Sequence, residues 1–135
     1  VSDKPLILVV DDNATIRNLV ATILAAHDME VVAAGDGDEA LAYLEERRPD
    51  LMLLDLAMPR LDGLEVLRRV RGHPALCGMR IVMLTAVAHT ARFKEVHSFR
   101  PDGYLEKPFR INDLVDQVKR ALAAPENSPD QSVRT

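Results

Sequence analysis

The chain has a single cysteine, Cys77, and no tryptophan. One thiol cannot form an internal disulfide, so no covalent cross-link supports the fold. That suits a reducing compartment, and a cytoplasmic location is expected. No His or Asp is patterned around Cys77, which reads as a loop or packing residue. No apolar run approaches the ~20 residues that cross a bilayer. The N-terminus, Val1-Ser-Asp-Lys-Pro5, lacks the basic segment and apolar core of a signal peptide, so no membrane partner is expected. It also lacks an initiating Met, which reads as a chain trimmed or excised from something longer. Positive charge is in short supply too, the net charge being −4. That argues against direct nucleic-acid binding, which needs a basic footprint. The one basic run, Arg68-Arg-Val-Arg71, follows an apolar helical pattern and reads as a solvated helix face. There is no glycine-rich phosphate loop, which removes that route to nucleotide binding.

What remains is ordinary for one globular domain: 135 residues, 47% hydrophobic and 28% charged. That length can bury one substantial core. Leu6-Ile-Leu-Val-Val10 is a short, continuous, β-branched run, the pattern of a strand buried on both faces. Ile16, Leu19, Val20, Ile23 and Leu24 then recur at helical spacing, predicting an amphipathic helix over 14–26. A second strand is expected at Glu30–Ala34. Asp36, with Glu39 three residues on, opens a second helix, which Pro49 stops. Arg47 and Arg48 fall near its C-terminal end, where the dipole favours cations. The third strand runs from Asp50 through Leu54 into Asp55, and a helix follows Gly63. After a loop over Gly72–Gly78 come a strand at Arg80–Leu84 ending on Thr85, a helix over Ala88–Phe99 and a strand at Gly103–Lys107. Pro101 separates the last two, because the residue before a proline leaves the helical region. Ile111, Leu114, Val115, Val118 and Leu122 mark a final helix. The segment from Pro125 is polar and proline-punctuated, as in a disordered tail. Five alternations of strand and helix imply a parallel sheet with helices on both faces and right-handed crossovers.

Parallel strands put their C-terminal ends on one edge of the sheet, where doubly wound folds hold ligands. Asp11 and Asp12 follow the first strand, Asp55 the third, Thr85 the fourth and Lys107 the fifth. Taken singly, an Asp-Asp after a strand is a stop or a cap, a Thr is a turn residue and a Lys-Pro is punctuation. Together they gather three carboxylates, a hydroxyl and an ammonium. Carboxylates so placed repel one another unless a cation joins them. Lys107 supplies one charge. An oxygen-only donor set suits Mg2+ as the other, better than zinc, which prefers Cys and His. The histidines, His27, His73, His89 and His97, are scattered off this edge and read as surface residues. Next to metal and ammonium, one carboxylate can attack a phosphoryl group. Asp55 stands alone on the central strand and is the best nucleophile, whereas Asp11 and Asp12 are a pair suited to metal.

Val9-Val-Asp-Asp12, Leu53-Leu-Asp-Leu-Ala-Met-Pro59 with Asp62-Gly63, Met83-Leu-Thr-Ala86 and Tyr104-Leu-Glu-Lys-Pro-Phe109 occur in that order. With these motifs the chain resembles the receiver domain of two-component response regulators, from Leu6 to about Ala123. The resemblance implies a flavodoxin-like (βα)5 sheet of order 2-1-3-4-5, a receiver domain over 5–124 and a tail over 125–135. It implies that Asp55 accepts a phosphoryl group from a sensor histidine kinase or a histidine phosphotransfer protein. Mg2+ would be held by Asp12, Asp55 and the backbone carbonyl of Ala57, with Asp11 acting through a metal-bound water. Lys107 would pair with the phosphoryl group, before a cis Lys107-Pro108 bond. Thr85 would hydrogen-bond the phosphoryl oxygens, and Tyr104 would turn inward as Thr85 moves. The signal would then reach the face formed by the fourth helix, fifth strand and fifth helix. The downstream target stays open, as does the choice between a monomer and a phosphorylation-dependent dimer.

The chain departs from the family pattern at Ala57 and Val87, two residues after Asp55 and Thr85. Polar side chains often influence phosphoryl lifetime there, and neither residue here can hydrogen-bond a hydrolytic water. Self-dephosphorylation is therefore expected to be slow, and no other enzymatic activity is expected. Arg110 stands where a Ser or Asp would cap the last helix. Two other readings compete. A magnesium-dependent phosphohydrolase with an Asp nucleophile would need an acid/base carboxylate where Ala57 stands. A protein-interaction module that no longer accepts phosphate would have no use for an intact Asp12, Asp55, Thr85 and Lys107. The short segment after Ala123 is expected to be too small for a DNA-binding, methyl-esterase or cyclase output domain, and whether the chain is whole or excised from a larger protein stays open.

Overall fold

The structure, a computed structural model, describes residues 3–86 and 92–125. In chain order its elements are β1 (Leu6–Val10), α1 (Ala14–Ala25), β2 (Glu30–Ala34), α2 (Gly37–Glu46) and β3 (Leu51–Asp55). There follow α3 (Gly63–Gly72), β4 (Arg80–Thr85), α4 (Phe93–Ser98), β5 (Gly103–Glu106) and α5 (Ile111–Ala123). The strands form one parallel sheet of order β2-β1-β3-β4-β5. The expected architecture is therefore the observed one.

Each strand's side chains alternate between the two faces, and each face has its own core. Leu8, Val10, Met52 and Leu54 face the layer that includes Ala40 and Leu44 of α2, Val66 and Val70 of α3 and Val96 of α4. Ile7, Val9, Leu51 and Leu53 face Val20 and Leu24 of α1 and Leu114 and Val118 of α5. Every residue of β1 and β3 is buried. That explains why these strands read as unbroken apolar runs, whereas the edge strand β2 carries exposed Glu30 and Ala33.

Three helices start on side-chain caps. Asn13, Asp36 and Asp62 accept hydrogen bonds from the backbone N–H groups of Ile16 (3.2 Å), Glu39 (2.8 Å) and Glu65 (3.0 Å), each satisfying an otherwise unpaired donor. Arg110 precedes α5 with no side-chain cap bond, as its chemistry requires. The fourth helix is described over a shorter span than expected. α4 spans Phe93–Ser98 among the described residues, against the expected Ala88–Phe99, and Val87–Ala91 lie outside the described residues, as does most of the expected tail. The apolar stripes are also narrower than periodicity implied, with Leu19 44% and Ile111 55% exposed.

The reading of Arg68–Arg71 as one solvated face is corrected at its last residue. Arg68 and Arg69 are exposed and pair with Glu65. Arg71 is buried. Its guanidinium donates to the carbonyl oxygens of Phe99 (2.9 Å), Cys77 (3.1 Å), Met79 (2.6 Å) and Arg100 (2.9 Å). One side chain thus ties the end of α3 to the loops before β4 and after α4.

Candidate functional site

The sheet order builds the site. β1 and β3 are neighbours with Val10 opposite Leu54, so the next residues, Asp11 and Asp55, come side by side. β4 lies beyond β3 with Leu84 opposite Asp55, which places Thr85 one step past the acceptor strand. β5 closes the edge with Glu106 opposite Thr85. Lys107 follows, its backbone N–H bonded to the Thr85 carbonyl at 2.7 Å, and the Lys107-Pro108 bond is cis. Asp11, Asp55 and Thr85 are buried and Asp12 is exposed. Carboxylate oxygens of Asp11, Asp12 and Asp55 lie within 4.8 Å of one another.

Asp11 is held from several sides. Its Oδ1 accepts from the Asn13 N–H at 2.9 Å and its Oδ2 from Lys107 Nζ at 2.5 Å. Arg17 donates to its carbonyl oxygen at 2.7 Å. Both carboxylate oxygens of Asp11 are thus engaged by the protein. Asp12, exposed at the same edge, is the better placed of the two to give an oxygen directly to a cation. Lys107 Nζ also lies 3.4 Å from Asp55 Oδ1, bridging two strands that repel through their carboxylates.

This crowding shows in the titration of the cluster. Burial, and then the charge of Asp11, push the Asp55 carboxyl up to about 6, against the opposing pull of Lys107 and of the Ala57 N–H that bonds it. Burial acting alone would lower the Lys107 ammonium. The Asp11 hydrogen bond and the charges of Asp55 and Asp11 outweigh it, and Lys107 is raised. Among the described residues, the edge therefore holds more negative charge than the Lys107 ammonium neutralises. That, with an all-oxygen donor set, is the chemistry that a hard divalent cation fits.

The turn after Asp55 depends on Gly63. A Cβ there would stand 2.1 Å from the Asp55 carbonyl oxygen and 2.8 Å from the Leu56 Cα. Both are backbone atoms and cannot rotate away. The Gly63 N–H instead bonds the Leu56 carbonyl at 2.9 Å, so α3 starts directly against the end of the acceptor strand. Gly63→Ala is expected to cost about 2–3 kcal/mol, at the upper end of overpacking effects. Urea unfolding followed by circular dichroism measures it, and unchanged stability would contradict this packing.

Tyr104 stands two residues before Glu106 on β5, opposite Met83. Thr85 is two residues beyond Met83, so Tyr104 and Thr85 emerge on the same face of the sheet. The Tyr104 ring packs on Phe93 (centroids 5.1 Å apart) and His97 (6.2 Å) of α4, and its hydroxyl meets His97 Nδ1 at 3.0 Å. Nothing in the sequence pattern pointed to His97, since a partner seven residues away across a helix–strand connection leaves no periodic mark. Asn13 and Arg17 were likewise missed as supports of Asp11, although Asn13 carries the ordinary signature of a helix cap. His27, His73 and His97 are exposed, as expected, while His89 lies outside the described residues.

The fold and this edge define a doubly wound α/β domain with an acidic cluster that fits a hard cation, and comparison with known proteins makes the class specific. The response regulator receiver domain family matches residues 7–119. The chain belongs to this family and is a receiver domain of two-component response regulators. It is 37% identical over 123 residues to the DNA-binding response regulator MtrA of Mycobacterium tuberculosis, which covers 91% of this chain and 53% of MtrA. The chain thus spans about half the length of the curated relatives it matches. Among solved structures, the chemotaxis response regulator CheY4 of Vibrio cholerae matches with a TM-score of 0.82 at 32% identity, covering 87% of this chain and 98% of that one. The response regulator TrrA of Thermotoga maritima, in complex with Mg2+-BeF, matches with a TM-score of 0.76 at 33% identity, covering 87% and 98%. The family and fold expected from the motifs are borne out. Among the described residues, no helix is long and apolar enough to cross a membrane.

Proposed function

We propose that this receiver domain is a switch set by phosphorylation of Asp55. One observation carries the reading: a buried carboxylate at the end of the central strand, next to Asp11, Asp12 and Lys107. An Asp55 carboxylate oxygen attacks the phosphorus of a phosphohistidine on a kinase or phosphotransfer protein. The new O–P bond forms as the N–P bond breaks, and the imidazole nitrogen keeps the electron pair and takes up a proton. Lys107 then has a phosphoryl oxygen to pair with, and Thr85 supplies a hydroxyl at the same edge. Asp12, Asp55 and the Ala57 carbonyl would hold Mg2+, with Asp11 contributing through a bound water. The ion's part is to neutralise the charge gathered on acceptor and phosphoryl oxygens.

The activity so defined is stoichiometric rather than turnover. Ala57 offers only a methyl group two residues beyond the acceptor, so it cannot orient a hydrolytic water. The phosphoryl group is expected to persist for minutes or longer, and a measured half-life of seconds would contradict this. A cytoplasmic location, a monomer or phosphorylation-dependent dimer, and a protein output target belong to the same reading. MtrA is named a DNA-binding response regulator, so the expected absence of a nucleic-acid partner finds no support among the relatives.

Incubation with Mg2+ and acetyl phosphate, followed by intact mass measurement, tests the proposal. A single phosphate adduct that disappears in Asp55→Ala is the expected result. Absence of an adduct, even with a cognate kinase, would overturn it.

A further inference from the structure

The contact between His97 and Tyr104 has no part in the chemistry above, yet it joins the proposed switch residue to α4. Three rings form one cluster: Phe93 and His97 stack at 5.7 Å with 16° between their planes, and Tyr104 lies against both. The 3.0 Å bond between the Tyr104 hydroxyl and His97 Nδ1 lies on the exposed side of this cluster. Burial raises the Tyr104 phenol, so the hydroxyl keeps its proton at neutral pH. It can then donate to an unprotonated Nδ1, or accept from a protonated one. The ring partners are both on α4, one turn apart, and just past His97 the C-terminal end of α4 is held by Arg71, bonded to the Phe99 and Arg100 carbonyls.

We propose that His97 is a positioning residue that tethers Tyr104 to the outer side of α4 in the resting domain. Inward rotation of Tyr104 must then break this bond, and the tether sets how rarely the inward conformer is visited before phosphorylation. The inference rests on Tyr104 being the switch residue of the reading above. Its core claim, however, concerns the unphosphorylated protein and is tested there. Losing one exposed hydrogen bond should raise the inward population about two- to tenfold.

The chain has two tyrosines, Tyr43 and Tyr104, so uniform 3-fluorotyrosine labelling gives two fluorine resonances. Tyr43, on α2, serves as the reference, and Tyr104→Phe assigns the pair. His97→Phe keeps the stacked ring and removes the nitrogen, whereas His97→Gln keeps a hydrogen-bonding side chain. In the resting protein, His97→Phe should shift the Tyr104 resonance while Tyr43 stays in place, and His97→Gln should restore most of the wild-type position. The initial rate of adduct formation with acetyl phosphate should rise about two- to tenfold in His97→Phe. It should not rise when His97→Phe is made in a Tyr104→Phe background. Identical Tyr104 resonances in wild type and His97→Phe would overturn the tether, whether or not an adduct forms. A failure of adduct formation in all variants would instead overturn the reading of Asp55 and leave the fluorine result to decide the tether.

Discussion

Arg71→Met is expected to lower the unfolding free energy by about 3–5 kcal/mol, the range for breaking a buried charged hydrogen-bond network. Five contacts are lost at once: four to backbone carbonyls and one to Asp102 Oδ2 at 3.4 Å. The carbonyls carry the larger share. Burial raises the Asp102 carboxyl although Arg71 lies beside it. Burial likewise lowers Arg71 despite the charge of Asp102. The long ion pair therefore does not compensate for its own desolvation. Asp102 also accepts from the Ile81 N–H at 2.8 Å, a bond that an Asn at this position keeps. Asp102→Asn should accordingly cost only about 1 kcal/mol, and Arg71→Lys should fail to rescue, because an ammonium cannot reproduce the planar fork. Urea unfolding of the three variants separates these cases. Equal losses in Arg71→Met and Asp102→Asn would mean that the ion pair, not the carbonyl set, holds the loops.

Arg71 also shows where reading the chain stops. The central strands were legible because burial on both faces removes polar alternation, so Leu6–Val10 and Leu51–Leu54 could be little else. Asp11, Asp12, Asp55, Thr85 and Lys107 were placed on one edge by the parallel topology alone, and the structure brings them together. Charge type misled at Arg71, which was grouped with Arg68 and Arg69. Its position gave the contrary signal: it lies four residues after Leu67 and seven after Leu64, on the stripe that α3 buries. Leu19 and Ile111 err in the other direction. Periodicity marks which residues share a helix side, not how much of that side the sheet covers. The His97–Tyr104 bond and the Arg17 support of Asp11 depend on side-chain reach between elements, and no local pattern encodes that.

Asp55→Asn should make the resting protein more stable at pH 8 without divalent ions, by about 2–3 kcal/mol, while removing the phosphate adduct altogether. The carboxyl is raised from 3.8 to about 6 in the folded chain, first by burial and then by the charge of Asp11. One unit of such a shift is worth about 1.4 kcal/mol. The sign follows from proton linkage. A group whose pKa is higher when folded favours folding below its unfolded pKa, and that contribution is lost as pH rises through the folded value. Wild type should therefore lose this stability between about pH 4 and pH 6, and at neutral pH it carries an ionised carboxylate the fold disfavours. Asn keeps the shape, omits the charge and escapes the cost. The gain should fall to a small remnant near pH 4, where Asp55 is protonated in the folded chain and only partly ionised in the unfolded one, and it should shrink when Mg2+ is added, because a cation held by Asp12 and Asp55 rewards the ionised form. Urea unfolding followed by circular dichroism suits a chain without tryptophan. Run at pH 4 and pH 8, with chelator and with Mg2+, it provides each comparison. A gain that persisted unchanged at pH 4 would mean that packing rather than charge is responsible. A gain untouched by Mg2+ would mean that the acidic edge does not take the ion in the resting state.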